Sequence, residues 1–238
     1  EQVLNQDPEN AEAYLGKLMA DLNVRKREDL QNVKKPFDEN KNYQKVLRFG
    51  SEALKAEMMA CAEHVRNEIV YSAALDMMKK AQTPQELKQA ADSFERVSAY
   101  KDAEALKNEC LETIYTQACD TMNRTAMEDT LKDLANVFGL IWGYKDSAEL
   151  KQACFEKAED CRKDAIYRSG LVAMRKEKIY KYEEAIQEFE KIPEWKDAKE
   201  QIRLCQEKIQ ELKNEQEAEH KKAKQEEIRE IIWKIARI

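Results

Sequence analysis

Apolar residues recur at helical spacing through most of this chain, and runs that alternate apolar and polar residues like a strand are absent. Two stripes show the 4-3-4 and 3-4-3 rhythms of a helix with one buried face: Leu111, Tyr115, Ala118 and Met122, and Leu87, Ala90, Phe94 and Val97. Good helix formers dominate, while Gly and Pro number only 5 and 4. The pattern predicts an all-α protein.

The apolar columns return three times along the chain. The strings AYKDAEALKNEC, GYKDSAELKQAC and EWKDAKEQIRLC align on Tyr100, Tyr144 and Trp195, which lie 44 and then 51 residues apart. A Phe stands six residues before each of these aromatic residues, and a Cys stands ten residues after it. These columns, and a Tyr and Met pair seven residues apart, are Phe94, Phe138 and Phe189; Cys110, Cys154 and Cys205; Tyr71, Tyr115 and Tyr167; Met78, Met122 and Met174. Repeats of this length are typical of stacked helical hairpins.

The repeat predicts the organisation of the chain. We expect three helical hairpins over residues 67–110, 111–154 and 155–205, each with a helix A that carries the Tyr and a helix B that carries the Phe. Residues 1–66 are predicted to form irregular N-terminal helices, and residues 206–238 a charged C-terminal helix. The third repeat has extra residues between Cys154 and Tyr167 without Gly or Pro, which predicts a longer helix A rather than a loop.

A recurring aromatic-Lys-Asp string marks the passage from each helix B to the next helix A. Asp102, Asp146 and Asp197 stand where an N-cap belongs, with carboxylates placed to accept hydrogen bonds from first-turn N–H groups. The aromatic residue two positions earlier is expected to fold back on the hairpin. The string therefore predicts a structural joint.

Two segments resemble the tetratricopeptide repeat (TPR) family. YEEAIQEFEKI, residues 182–192, resembles the second helix of such a repeat, and DPENAEAYLGKLMA, residues 7–20, resembles a junction and first helix. The resemblance implies a right-handed α-α superhelix, a TPR-like solenoid of stacked hairpins, continued by a long C-terminal helix. The chain departs from the family in its longer period, in the small-residue position, assigned to Ala74, Cys119 and Leu171, and in the joint that replaces the usual Pro. It also resembles bacterial proteins that carry such repeats beside other modules.

Composition and charge narrow the function classes. The net charge of −6 argues against a general nucleic-acid binder, and the basic cluster at residues 25–35 is interrupted by acidic residues, as on a solvated surface. No apolar run has membrane-spanning length. The 6 Cys form no CxxC pair and no secretory signal is present, which predicts reduced thiols and a cytoplasmic location. The chain begins inside a helical pattern without Met, so we expect it to be a fragment of a longer protein.

Candidate chemistry is sparse. The chain has 2 His, and only Cys61 with His64 shows ligand-like spacing. The Cys column cannot share one zinc, because equivalent positions in stacked hairpins lie about 8–10 Å apart, whereas each thiolate must lie about 2.3 Å from the metal. We therefore interpret the column as buried core and predict no catalytic residue, no metal and no cofactor. A catalytic or metal protein remains a third hypothesis.

The first functional hypothesis is a non-catalytic scaffold that binds a protein or peptide on the concave face of the helical array. The face would be formed by helix A residues that lie outside the packing stripe. The candidates are Thr116, Gln117, Asp120 and Arg168. No nucleic-acid or membrane partner is expected.

The alternative is an assembly element that self-associates, as a homodimer, through the C-terminal helix. Apolar residues return at the end of a charged stretch, and the candidates for the contact are Ile228, Ile232, Trp233 and Ile235. Three interpretations of this patch stay open: a folded-back cap, an oligomer contact, and the start of a longer region.

Overall fold

The computed structural model describes residues 2–235, without the side chains of residues 234 and 235. Within these residues every regular element is a helix and none is a strand, so the all-α prediction is confirmed. The α-helices are α1 Gln2–Gln6, α2 Ala11–Asp21, α3 Lys41–Phe49, α4 Glu52–Lys80, α5 Pro84–Glu95, α6 Ala103–Arg124, α7 Glu128–Leu140, α8 Ser147–Met174, α9 Ile179–Glu190 and α10 Ala198–Ile235, and a 3-10 helix spans Arg27–Asn32.

The chain divides into two compact units. The first unit runs to Thr121 and includes Asn136–Ala148, and the second takes Met122–Ala135 and the chain from Glu149 onwards. Each unit is described separately below.

The N-terminal part of the first unit is a compact helical cluster. α2 packs on α3, and both α3 and the 3-10 helix pack on α4. The most deeply buried side chains come from all four elements: Leu18, Leu30, Val46, Met58 and Val65. Asn10, Asn40 and Ser51 cap α2, α3 and α4 through side-chain oxygens that accept from first-turn N–H groups.

The second half of α4 and the whole of α5 form the first predicted hairpin. The Thr83 hydroxyl accepts from the Glu86 N–H at 3.2 Å, the Glu86 carboxylate accepts from the Thr83 N–H at 3.0 Å, and Pro84 occupies the first turn of α5. The Phe94 ring is fully buried, and the Tyr71 ring meets it edge-on at a centroid distance of 5.9 Å. The helix starts and the buried stripe of this hairpin follow the sequence pattern.

The third predicted hairpin lies in the second unit. Its helix A is the C-terminal part of α8, its helix B is α9, and α10 packs on α9. Phe189 and Cys205 are fully buried in its core. α8 spans 28 residues as one helix, which confirms the predicted lengthening of helix A.

Residues of the second repeat belong to both units. In the first unit, the rings of Tyr115 and Phe138 lie 6.4 Å apart and Phe138 is fully buried. In the second unit, Leu131 and Ala135 are fully buried.

The structure corrects one column of the repeat. A small buried residue stands three positions after each Tyr, at Ala74, Ala118 and Gly170. Cys119 and Leu171, assigned to this column from sequence, lie one position further and are only partly buried. A Cβ added to Gly170 would lie 2.6 Å from the Phe189 ring, so the smallest residue is required there.

The Cys column is confirmed as core, since Cys110, Cys154 and Cys205 are each 0% exposed. Burial also raises the pKa of the Cys110 thiol to about 11 and raises that of Cys205, which keeps both thiols protonated. These cysteines are therefore unreactive packing residues.

α10 is one uninterrupted helix of 38 residues, about 57 Å long at ~1.5 Å per residue. Its first turns are packed against α9, whereas every side chain from residue 213 to residue 233 is exposed. The folded-back cap is therefore wrong for the described residues. Over the described part of the chain, none of the helices combines the length and the apolar character that a membrane span requires.

Candidate partner-binding surface

The joint between each helix B and the next helix A has the same backbone in all three repeats. The Lys of each string has a left-handed backbone conformation, with φ of 49° at Lys101, 49° at Lys145 and 50° at Lys196. This conformation is uncommon for a residue other than Gly. It lies in the turn that follows helix B and redirects the chain so that the following Asp immediately precedes a new helix.

The Asp of each joint bonds to the Tyr of the preceding helix A. The pairs are Tyr71 with Asp102, Tyr115 with Asp146 at 2.7 Å, and Tyr167 with Asp197, the hydroxyl donating in each case. The Asp residues do occupy the position before α6, α8 and α10, as expected for an N-cap. The carboxylate, however, serves as a tertiary acceptor that joins helices, a role that spacing alone did not reveal.

A second acidic residue completes each joint, and the sequence analysis missed it. In the first repeat the Glu68 carboxylate accepts from the Tyr100 hydroxyl at 2.8 Å and pairs with the Lys101 ammonium. The equivalent contacts are Glu112 with Tyr144 at 2.7 Å and with Lys145, and Asp164 with Trp195 Nε1 at 2.9 Å and with Lys196 at 2.7 Å. The signal was present as an acidic residue three positions before each Tyr.

We call each set of five side chains a clamp: the acid, the helix A Tyr, the joint aromatic, the Lys and the Asp. The Lys ammonium also lies over the rings, 4.8 Å from the Tyr71 centroid and 5.2 Å from that of Tyr100 in the first clamp. The clamp thus ties helix A to the end of its own helix B by hydrogen bonds, charge and ring contacts.

The contacts of the clamp shift the pKa values of its acids and phenols. Hydrogen bonds from Lys101 and then Tyr100 lower the pKa of Glu68, while burial and the bond to Glu68 raise the pKa of Tyr100 to about 12. In the third clamp, Lys196 and Trp195 lower the pKa of Asp164, and the bond to Asp197 raises the pKa of Tyr167 to about 12. These shifts favour ionised Glu68 and Asp164 carboxylates and neutral Tyr100 and Tyr167 phenols at neutral pH, as in a structural hydrogen-bond network.

The predicted partner-binding residues lie beside the clamps and are all exposed. Thr116 and Gln117 follow Tyr115 directly, Asp120 lies one turn further along α6, and Arg168 follows Tyr167. Thr116 and Arg168 are equivalent positions, and each contacts its clamp acid: Thr116 through a side-chain bond that helps to lower the pKa of Glu112, and Arg168 through Nε to the Asp164 carbonyl at 3.2 Å.

The exposure pattern recurs at three positions of helix A: one, two and five residues after the Tyr. All nine residues are exposed: Ser72, Ala73, Asp76, Thr116, Gln117, Asp120, Arg168, Ser169 and Val172. Three such positions share one side of a helix. Each helix A therefore presents an exposed, largely polar face at the same three positions next to its clamp.

Cys61 and His64, the pair with ligand-like spacing, have other contacts. His64 meets Tyr100 edge-on at 5.5 Å, with Nδ1 3.3 Å from the Tyr100 hydroxyl, and burial raises the pKa of Cys61. Among the residues that the structure describes, no three His, Cys, Asp or Glu side chains are grouped as metal ligands.

The predicted self-association residues are exposed on α10. Ile228, Ile232 and Trp233 are 49%, 60% and 58% exposed, and the neighbouring Ile231 is 50% exposed. The side chain of Ile235 lies outside the described residues.

No family model, curated protein or solved structure matches the chain.

Proposed function

We propose that the protein is a non-catalytic scaffold that binds a protein or peptide partner along the exposed faces of its A helices. In this proposal the three hairpins follow one another as a TPR-like, right-handed superhelix, and the A helices line its concave side. The protein acts in the cytoplasm without a cofactor.

The observation that carries the proposal is the clamp, which occurs three times with the same contacts. Each clamp fixes the rotation of helix A, because the Tyr side chain is bonded on one side of the helix while the polar face next to it stays exposed. A surface made of helices held at fixed rotation is pre-organised, which lowers the entropy lost on binding. The acids and phenols of the clamps are bonded within the joints. The exposed polar residues beside them are therefore the ones available to a partner.

The residue chemistry of this face suits an extended polar or amphipathic segment. In the first unit it carries one Asp in each repeat, Asp76 and Asp120, together with Ser72, Thr116 and Gln117. Hydroxyl, amide and carboxylate groups at helical spacing bind main-chain amides and basic side chains. We therefore expect a partner segment that offers N–H donors and Lys or Arg.

Site-specific photo-cross-linking in cells that produce the protein tests this proposal. A photo-reactive residue at Gln117 should cross-link one discrete partner, whereas the same residue at Gln187, which is exposed on helix B of the third repeat, should not. The double variant Thr116→Lys with Asp120→Lys should abolish the cross-link because it reverses the charge of the face. Equal cross-linking from both positions, or an unaffected cross-link in the double variant, contradicts the proposal.

A further inference from the structure

The last part of α10 carries exposed apolar side chains. From residue 213 to residue 233 every side chain is exposed, although this stretch ends in an apolar patch formed by Ile228, Ile231 and Ile232. A helix as polar as residues 213–227 gains little stability from its own sequence, because helical stability in proteins comes chiefly from packing of an apolar face. The exposed apolar patch therefore indicates a contact with another surface.

A second apolar feature lies on the same helix. At the start of α10, Leu204 and the stem of Lys208 form one wall of an open groove, and Leu171 and Met174 of α8 form the other. Tyr182 of α9, Arg175 and the acidic Glu207 and Glu211 also line it. The groove accepts an apolar helix stripe flanked by a basic residue.

The groove and the patch lie on one seam of α10. Steps of seven residues lead from Leu204 through Glu211, Ala218 and Gln225 to Ile232. A seven-residue spacing stays on one side of a helix in a left-handed helix pair. The midpoint between the four α10 residues of the groove and the three residues of the patch falls near Glu219, about 17 Å from the centre of each at ~1.5 Å per residue.

The charge along the helix reverses near this midpoint, at His220. Glu215, Glu217 and Glu219 precede His220, and Lys221, Lys222 and Lys224 follow it. An antiparallel pair of identical helices centred here places Glu215 and Glu217 of each copy opposite Lys222 and Lys224 of the other. A parallel pair in register places acidic residues against acidic residues and basic against basic. Opposite charges across a helix seam set the orientation of the partner.

We propose that two copies of this chain pair through α10 in antiparallel orientation about a two-fold axis near His220, so that the apolar patch of each copy lies in the α8–α10 groove of the other. The charge reversal near the midpoint between patch and groove selects this occupant. Arg229 of one copy then lies beside Glu211 of the other. The pairing is separate from the scaffold function, since the α10 patch includes none of the exposed helix A residues.

The oligomeric state of the whole chain tests the pairing. Sedimentation over about a hundredfold range of concentration should show a reversible dimer of the wild type. The double variant Ile228→Asp with Ile232→Asp should raise the dissociation constant about 100-fold or more. The two isoleucine side chains are exposed in the monomer and would be buried in the dimer, where a carboxylate is unfavourable. The matched control is Met59→Asp with Tyr180→Asp, two residues each 57% exposed elsewhere, which should leave the dimer unchanged. A wild type that is monomeric throughout, or a dimer that survives the Ile substitutions, overturns the proposal.

Disulfide cross-linking tests the orientation. In the antiparallel pair Asn214 of one copy faces Gln225 of the other, so a mixture of Asn214→Cys and Gln225→Cys chains should form a covalent heterodimer. Gln225→Cys chains alone should not, since the two copies of residue 225 lie about 16 Å apart along the axis at ~1.5 Å per residue. Oxidised wild type controls for the 6 native cysteines. Efficient cross-linking of Gln225→Cys to itself indicates a parallel pair and overturns the proposal.

Discussion

The first and third repeats use the same clamp with side chains of different size. The first joins Glu68 to Tyr100, and the third joins the shorter Asp164 to Trp195, whose donor lies on the side of its ring system rather than at its far end. The ring centroids of the helix A Tyr and the buried Phe are also closer in the third repeat, at 5.5 Å, than in the first, at 5.9 Å.

The small residue three positions after the helix A Tyr is also smaller in the third repeat. The first repeat has Ala74 where the third has Gly170, and the Phe189 ring lies where a Cβ of residue 170 would stand. The third repeat thus combines a shorter acid, a side-placed donor and a missing methyl group with the shorter distance between its Tyr and Phe rings. The residues around the buried Phe therefore differ together between the two repeats.

The largest expected effect comes from the ring that both repeats bury. Phe94→Ala and Phe189→Ala should each lower the free energy of unfolding by about 3–5 kcal/mol, because both rings are fully buried and leave a cavity. Urea unfolding followed by far-UV circular dichroism measures the loss. Tyr180→Ala, at a 57% exposed position, should change it by less than about 0.5 kcal/mol. A loss below about 1 kcal/mol in only one repeat would break the equivalence of the two hairpins.

Gly170→Ala should destabilise the protein by about 1–3 kcal/mol, because the new Cβ overlaps the Phe189 ring. Gly-to-Ala substitution inside a helix ordinarily stabilises by up to about 1 kcal/mol. Gly16→Ala is the matched control, since Gly16 lies in α2 with no atom in contact with an added Cβ, and it should stabilise. Stabilisation by both substitutions would show that the Phe189 ring does not restrict the side chain at position 170.

The left-handed Lys should give the third effect in size. Lys101→Gly and Lys101→Ala both remove the ion pair to Glu68, but only Gly adopts a φ of 49° without strain. The Ala variant should therefore unfold about 1 kcal/mol more easily than the Gly variant. The same difference is expected for Lys196, where φ is 50°. Equal stability of the Gly and Ala variants would mean that the joint relaxes.

The smallest effect is a difference in pH dependence between the two clamps. Hydrogen bonds from Lys101 and Lys196 lower the folded-state pKa of Glu68 and Asp164 from ordinary values of 4.5 and 3.8. A lowered pKa stabilises the folded state above the ordinary value, and the stabilisation is lost as the pH falls through the folded-state pKa.

Unfolding midpoints measured between pH 7 and pH 3 test this difference. The gap between wild type and Glu68→Gln should begin to shrink near pH 4.5, and that between wild type and Asp164→Asn only near pH 3.8. Gaps that stay constant with pH would show that neither carboxylate gains from its Lys.

Much of the fold could be predicted from patterns among residues close together in the sequence. The stripe that contains Ala90, Phe94 and Val97 predicted α5 and its buried face, and Thr83 with Pro84 predicted its start, because caps and helical periodicity act within a few residues. The small-residue column was misplaced at Cys119 and Leu171, since sequence spacing does not show which residue a ring from another helix touches. The candidate residues Thr116 and Arg168 are exposed as expected, but their contact with the clamp acids appeared only in the structure.

The order of residues alone makes the chain helical, places the starts of α6, α8 and α10 after the three joint Asp residues, and repeats one aromatic-Lys-Asp joint three times. These properties depend on neighbouring residues. The packed structure was needed to show that the joint Asp binds a Tyr about thirty residues earlier, that a second acid holds the joint Lys, and that α10 extends beyond its packing partner. Those contacts depend on how separate helices pack, a choice made by side-chain size and hydrogen-bond reach across the interface rather than by any local pattern.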